Sequence, residues 1–271
     1  MDQPRPIFFS DLDGTLLDHD TYDWRPARPA LQRLAELDLP LVLNSSKTRP
    51  EIEALRRALA NTHPFIVENG AGMVIPADYF GRGPEEVITT GAPRACILEE
   101  LASQRARGYC FMGFADLPPS ELARLTGLEE EAAVMAGERI GTEPILWQDT
   151  PERLQAFRDS LADRGLQLQQ GGRFLHVMGR FDKADGLRQL MSRYRARSPE
   201  RSCRSVALGD SLNDQDMLAG ADLAVIIAGV NAGRIELPEG HPVIRSTEPG
   251  PTGWNRSVME ALSRFGYRTA H

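Results

Sequence analysis

Ile7-Phe8-Phe9-Ser10-Asp11-Leu12-Asp13-Gly14-Thr15 is the stretch from which the fold can be worked out. Three consecutive apolar residues stop at two polar ones, as a buried strand does when it reaches the edge of a sheet. Two carboxylates two residues apart follow, then Gly-Thr. Like charges this close repel unless a cation lies nearby. The loop therefore reads as a site at a strand end rather than as a solvated turn.

The flanking sequence repeats the same rhythm. In residues 28–37 the positions Ala30, Leu31, Leu34, Ala35 and Leu37 form a helical stripe, and residues 39–43 are a second strand. Pro50 then opens a helix in its first turn, where its missing N–H costs nothing. Phe65 to Val67 is a third strand, closed by Asn69-Gly70. The C-terminal part resumes with a helix over 184–194, a strand over 206–208 ending at Gly209-Asp210, and a helix over 213–219. A strand over 223–227 and a closing helix over 253–265 complete it. Such alternation predicts an α/β fold, a Rossmann-like doubly wound parallel sheet with right-handed crossovers.

The middle has another texture. It offers helices over 93–107, 119–126, 130–137 and 151–164, and strands over 145–147 and 166–169. A Gly171-Gly172 hairpin turn leads into Phe174-Leu175-His176-Val177. We expect an α+β cap at 85–179 inserted into a core made of 1–84 and 180–271.

Composition narrows the function classes. The chain has 271 residues and a net charge of −7, which offers no general basic footprint for nucleic acid or anionic membrane. No apolar run approaches the ~18 residues of a membrane span, and the N-terminus lacks the layout of a signal peptide. Cys96, Cys110 and Cys203 are odd in number and widely spaced, as expected for free thiols in a reducing cytoplasm. Of 31 basic residues 29 are arginine; only Lys47 and Lys183 are lysine. A lysine kept under that bias points to a place where a compact ammonium serves and a wide guanidinium does not.

Ligands of open α/β sheets bind at the carboxyl ends of strands, and four polar segments fall there. The first two are Asp11-Leu12-Asp13-Gly14-Thr15 and Gly209-Asp210-Ser211-Leu212-Asn213-Asp214. Together Asp11, Asp13, Asp210 and Asp214 supply four carboxylates without thiol or imidazole, a hard-cation set suited to Mg2+. Asp214 alone also suits a helix N-terminus. The third and fourth are Asn44-Ser45-Ser46-Lys47 and Lys183, whose hydroxyls, backbone N–H groups and ammoniums suit a phosphate.

In this order the four segments resemble the four motifs of the haloacid-dehalogenase-like phosphatases, with the cap between the second and third. Asn44-Ser45-Ser46-Lys47-Thr48-Arg49, Glu143-Pro144-Ile145-Leu146-Trp147, Gly171-Gly172-Arg173-Phe174 and Gly250-Pro251-Thr252-Gly253-Trp254-Asn255 further resemble the mannosyl-3-phosphoglycerate phosphatase family. The resemblance implies a Mg2+-dependent phosphoric monoester hydrolase that converts mannosyl-3-phosphoglycerate to mannosylglycerate, a compatible solute. It implies Asp11 as nucleophile forming an aspartyl-phosphate and Asp13 as general acid and base. The metal would bind Asp11, the Asp13 carbonyl and Asp210, with Asp214 as a ligand or orienter. Ser45, Ser46 and Lys183 would hold the phosphoryl group, with Asn213 positioning Lys183.

Substrate choice is expected in the cap. Arg173, then Lys47 or Arg139, are candidates for the glycerate carboxylate, while His176, Trp147 and Trp254 read as packing residues. Two alternatives stay open. One is a glucosyl-3-phosphoglycerate or other sugar phosphatase; the other is a phospho-aspartate signalling module without turnover, against which Asp13 argues.

Overall fold

In this computed structural model, which describes residues 3–171 and 173–268, β1 (Arg5–Ser10) lies at the centre of the larger sheet. Beside it runs β2 (Leu41–Asn44), reached through α1 (Arg28–Glu36). Next, α2 (Arg49–Leu59) leads to β3 (Phe65–Val67). Thr48 and Glu51 form a capping box at the start of α2: Glu51 Oε2 accepts from the Thr48 N–H at 2.8 Å and from its hydroxyl at 2.9 Å. That fixes where the helix leaves the second strand, at a typical gain of ~1 kcal/mol.

The sheet then departs from the all-parallel pattern. β4 (Gly72–Ile75) turns back antiparallel to β3, and β5 (Glu86–Thr89) pairs antiparallel with β4. The turn is made by Glu68 and Asn69 in left-handed conformation (φ 52° and 58°), followed by Gly70 at φ 107°. β5 is an exposed edge strand, so it carries no apolar alternation that would mark it in sequence. Its residues lie in the segment read as cap but extend the larger sheet.

The inserted part begins with α3 (Arg94–Ala106) and β6 (Phe111–Gly113), then α4 (Pro119–Thr126) and α5 (Glu130–Gly137). β7 (Thr142–Trp147), α6 (Pro151–Ala162), β8 (Leu166–Gly171) and β9 (Phe174–Gly179) complete it. Its sheet has the order β6-β7-β9-β8 and is antiparallel throughout. Ile97, Leu101, Phe157 and Leu161 of α3 and α6 pack with Ile145, Leu168 and Val177 of this sheet. Gly172, in the expected hairpin turn, lies outside the described residues.

The chain re-enters the larger sheet through α7 (Lys183–Arg197), β10 (Cys203–Gly209), α8 (Gln215–Gly220), β11 (Leu223–Ala228), β12 (Val243–Pro249) and α9 (Gly250–Arg264). The strand order is β12-β11-β10-β1-β2-β3-β4-β5. Successive side chains of β1 enter opposite layers. Phe8 packs with Leu34 of α1 and Trp254 and Val258 of α9, whereas Ile7 and Phe9 pack with Leu187 and Leu190 of α7. Burial on both faces is why β1 reads as an unbroken apolar run. The three cysteines are unpaired. Among the described residues no helix is long and apolar enough to cross a membrane.

Candidate active site

Strand register assembles the site. Ser10 pairs with Leu43 of β2 on one side and Leu208 of β10 on the other. The loops that follow the three strands therefore emerge side by side, although their residues are far apart in sequence. Asp11 N–H donates to the Leu208 carbonyl at 2.9 Å. Gly14 adopts φ +79°, and a Cβ there would lie 2.8 Å from Asp210 Oδ2. Only glycine lets the first loop turn this tightly over Asp210. Thr15 Oγ1 then donates to Asp210 Oδ1 at 3.0 Å.

Lys183 is the centre of the arrangement. Its ammonium lies 2.5 Å from Asp11 Oδ1 and 2.7 Å from Asp214 Oδ1, and the residue is 1% exposed. Asp182 and Asp185 cap the start of α7 reciprocally, which sets the first turn that carries the lysine. Asn44 Nδ2 donates to the Lys183 carbonyl at 2.9 Å. Asp214, not Asn213, grips the ammonium, which corrects the expectation for Asn213. The reason is local: residues 212–214 form a single 3-10 turn that directs Asp214 inward. Asp214 Oδ2 also accepts the N–H groups of Asp210 and Ser211, both at 3.2 Å. Asn213 Oδ1 instead accepts the Ser211 hydroxyl.

The local charge is unbalanced. Carboxylate oxygens of Asp11, Asp210 and Asp214 all lie within 4.8 Å of one another. Burial opposes charge on Lys183, but Asp11 and Asp214 outweigh it and hold its pKa above the usual lysine range. Burial and Asp214 together push Asp11 well above the carboxylate range, and the same two causes raise Asp210 to about 6. One ammonium does not neutralise two buried carboxylates and a third that is half-buried. An all-oxygen donor set with surplus negative charge fits a divalent metal.

Above this floor opens a cavity of about 420 Å³ between the larger sheet and the inserted part. Asp11, Asp13, Ser46, Lys47 and Asn213 line it from below, and Arg139, Arg173 and His176 from above. Ser45 is fully buried beneath, its hydroxyl accepting the Lys47 N–H at 3.2 Å. Asp13 and Lys47 form an ion pair of 3.0 Å.

The expected cap residues differ in their surroundings. Arg139 donates to Thr142 Oγ1, the Ala136 carbonyl and the Ser46 carbonyl, and lies 3.7 Å from Glu68. Arg173 donates to the Thr126 carbonyl and lies over the Phe174 ring. His176 is buried, and burial followed by Arg139 lowers its pKa to about 3. Trp254 is core, and Trp147 packs against Phe157.

Glu68 escaped the sequence reading. It is fully buried and accepts the N–H groups of Ile140 and Gly141 and the Thr142 hydroxyl, at 2.7, 3.2 and 2.6 Å. Thr48 Oγ1 adds a bond to the Met135 carbonyl. These contacts stitch residues 135–142 to the strand-end loops. The Thr48-x-x-Glu51 capping pattern was a readable signal; nothing local marked Glu68.

Residues 8–79 match the haloacid dehalogenase-like hydrolase family. A glucosyl-3-phosphoglycerate/mannosyl-3-phosphoglycerate phosphatase of Methanococcoides burtonii is 35% identical over 275 residues, covering 95% of this chain and 97% of its own. The chain belongs to this phosphatase family of haloacid dehalogenase-like hydrolases. A second family member, from Persephonella marina, bears the same name and is 32% identical, with 96% of this chain and 98% of its own covered. Solved structures share the family fold. A haloalkanoate-superfamily phosphatase of Bacteroides thetaiotaomicron gives a TM-score of 0.66 at 19% identity, covering 98% of this chain and 96% of that one. The sucrose-phosphatase of Synechocystis, solved with sucrose and phosphate, gives 0.64 at 13% identity, covering 98% and 100%.

Proposed function

We propose that this phosphatase hydrolyses glucosyl- or mannosyl-3-phosphoglycerate to the hexosylglycerate and inorganic phosphate, with Mg2+ as its metal. The observation that carries the reading is Lys183 clamped between Asp214 and Asp11, the latter lining the floor of a cavity walled by further cations.

Asp11 attacks phosphorus and forms an aspartyl-phosphate. Asp13, two residues on and facing the cavity, donates a proton to the departing ester oxygen and then takes one from the hydrolytic water. Lys183, Ser45 and Ser46 hold the phosphoryl oxygens as charge redistributes. Asp214 keeps Lys183 in place and charged. Asp11, Asp210 and the Asp13 carbonyl would hold Mg2+, which would screen the anionic nucleophile from the anionic phosphate. The inserted part is the cap: it covers the cavity, excludes water and places Arg173 and Arg139 in the cavity wall. The larger sheet with its helices is the core.

Steady-state phosphate release tests the reading, using both hexosyl-3-phosphoglycerates and a panel of simple sugar phosphates, with Mg2+ and with a chelator. The phosphoglycerate esters should be the best substrates, and chelation should stop turnover. Hydrolysis of the simple sugar phosphates alone would overturn the substrate assignment.

A further inference from the structure

The three cations facing the cavity are not equally committed. Arg139 spends N–H groups from all three nitrogens on Thr142, Ala136 and Ser46, and its charge faces Glu68. Arg173 is tied to Thr126 and Phe174 on the cap wall. Lys47 is held more loosely. Its ammonium is 3.0 Å from Asp13 Oδ1, a contact between two side chains with no backbone group in it. Glu51 Oε1 stands off at 4.0 Å and the Tyr22 ring centre at 4.9 Å. Lys47 thus has one replaceable carboxylate partner and two weaker neighbours that keep it in place.

The substrate supplies such a partner. In a phosphoglyceryl group the ester oxygen is on C3, the carboxylate is C1 and the hexose is carried on C2. Ordinary bond lengths bring a carboxylate oxygen within about 3–5 Å of the ester oxygen. If Asp13 faces the ester oxygen, the carboxylate falls where Lys47 can reach it. We propose that Lys47 is the specificity-determining cation of this site, exchanging its contact with Asp13 for the carboxylate of the substrate. Recognition is then anchored on the glycerate, common to both esters, and not on the configuration of the hexose. The exchange also releases Asp13 from its ion pair as the correct substrate arrives. This inference rests on the substrate class proposed above.

The test measures kcat/KM for glucosyl- and mannosyl-3-phosphoglycerate and for an analogue whose carboxylate is reduced to a hydroxymethyl group. Lys47→Met and Lys47→Arg are compared with the wild-type enzyme, with far-UV circular dichroism as the folding control. The wild type should favour the carboxylated ester by at least about a hundredfold. Lys47→Met should cut that preference at least about tenfold, mainly through KM of the carboxylated ester. Lys47→Arg should keep part of the preference, and it carries the test if the methionine variant does not fold. The ratio between glucosyl and mannosyl esters should stay within about twofold in both variants. A preference left intact, or an equal loss on carboxylated and reduced esters, would overturn the role of Lys47. A wild-type enzyme inactive on both phosphoglycerates would instead remove the substrate class itself.

Discussion

The indole N–H of Trp254 donates to Ser10 Oγ at 2.9 Å, and the Ser10 hydroxyl donates in turn to the Asp11 carbonyl at 2.7 Å. The last helix of the chain is therefore bonded, through one hydroxyl, to the backbone of the proposed nucleophile. Both residues are fully buried, so the bond has no water to replace it.

Trp254→Phe should cost about 2–4 kcal/mol, from the lost bond and the volume left behind. That is a fall of roughly 5–12 °C in Tm for a chain of this size. Thermal unfolding checks it, and an unchanged Tm would show that the bond contributes little.

Lys183→Arg should lower kcat/KM at least about tenfold, or about 1.4 kcal/mol in the transition state. A point ammonium bridges two carboxylates at 2.5 and 2.7 Å in a space with 1% exposure; a planar guanidinium is too broad for it. Near-normal kinetics would refute the idea that a compact charge is required.

Metal binding should stabilise the protein by mass action. Titrating Mg2+ into chelated wild-type protein should raise Tm in proportion to the logarithm of concentration once the site saturates. Asp210→Asn removes one of the three crowded carboxylates, so its curve should be much flatter. Identical curves would exclude Asp210 from the metal site.

His63 gives stability a pH dependence away from the site. Burial, the main cause, lowers its pKa to about 4, and Nδ1 lies 2.7 Å from the Tyr79 hydroxyl. The folded protein takes up this proton less readily than the unfolded chain. The contribution is therefore full above about pH 6.5 and is lost as pH falls towards 4, about 2 kcal/mol allowing for partial exposure. His63→Gln should lose less Tm than wild type between pH 7 and pH 4.5. Parallel losses would refute it.

The sequence made some elements legible and hid others for definable reasons. Phe65–Val67, Pro119–Thr126 and Glu130–Gly137 were read with the same bounds the structure has, because short apolar runs, Pro at a first turn and a following glycine act locally. β4 and β5 were missed: one is four residues long and buried throughout, without the alternation that marks a strand, and the other is an exposed edge. At the site, Asp11, Asp210 and Lys183 were legible because each lies at a strand or helix end. Which side chain grips Lys183 was not, since Asn213 and Asp214 are neighbours only a third of a 3-10 turn apart. The Asp13–Lys47 pair was also hidden, because it depends on two loops meeting across neighbouring strands.

The pairing of Ser10 with both Leu43 and Leu208 has a kinetic consequence. During synthesis Lys183, Asp210 and Asp214 leave the ribosome some 170–200 residues after Asp11. Until β10 closes that long loop against β1, the three crowded carboxylates and the Lys183 ammonium cannot meet. Mg2+ protection should therefore emerge as a late event in refolding, which makes the ion a reporter of when the two halves of the sheet join.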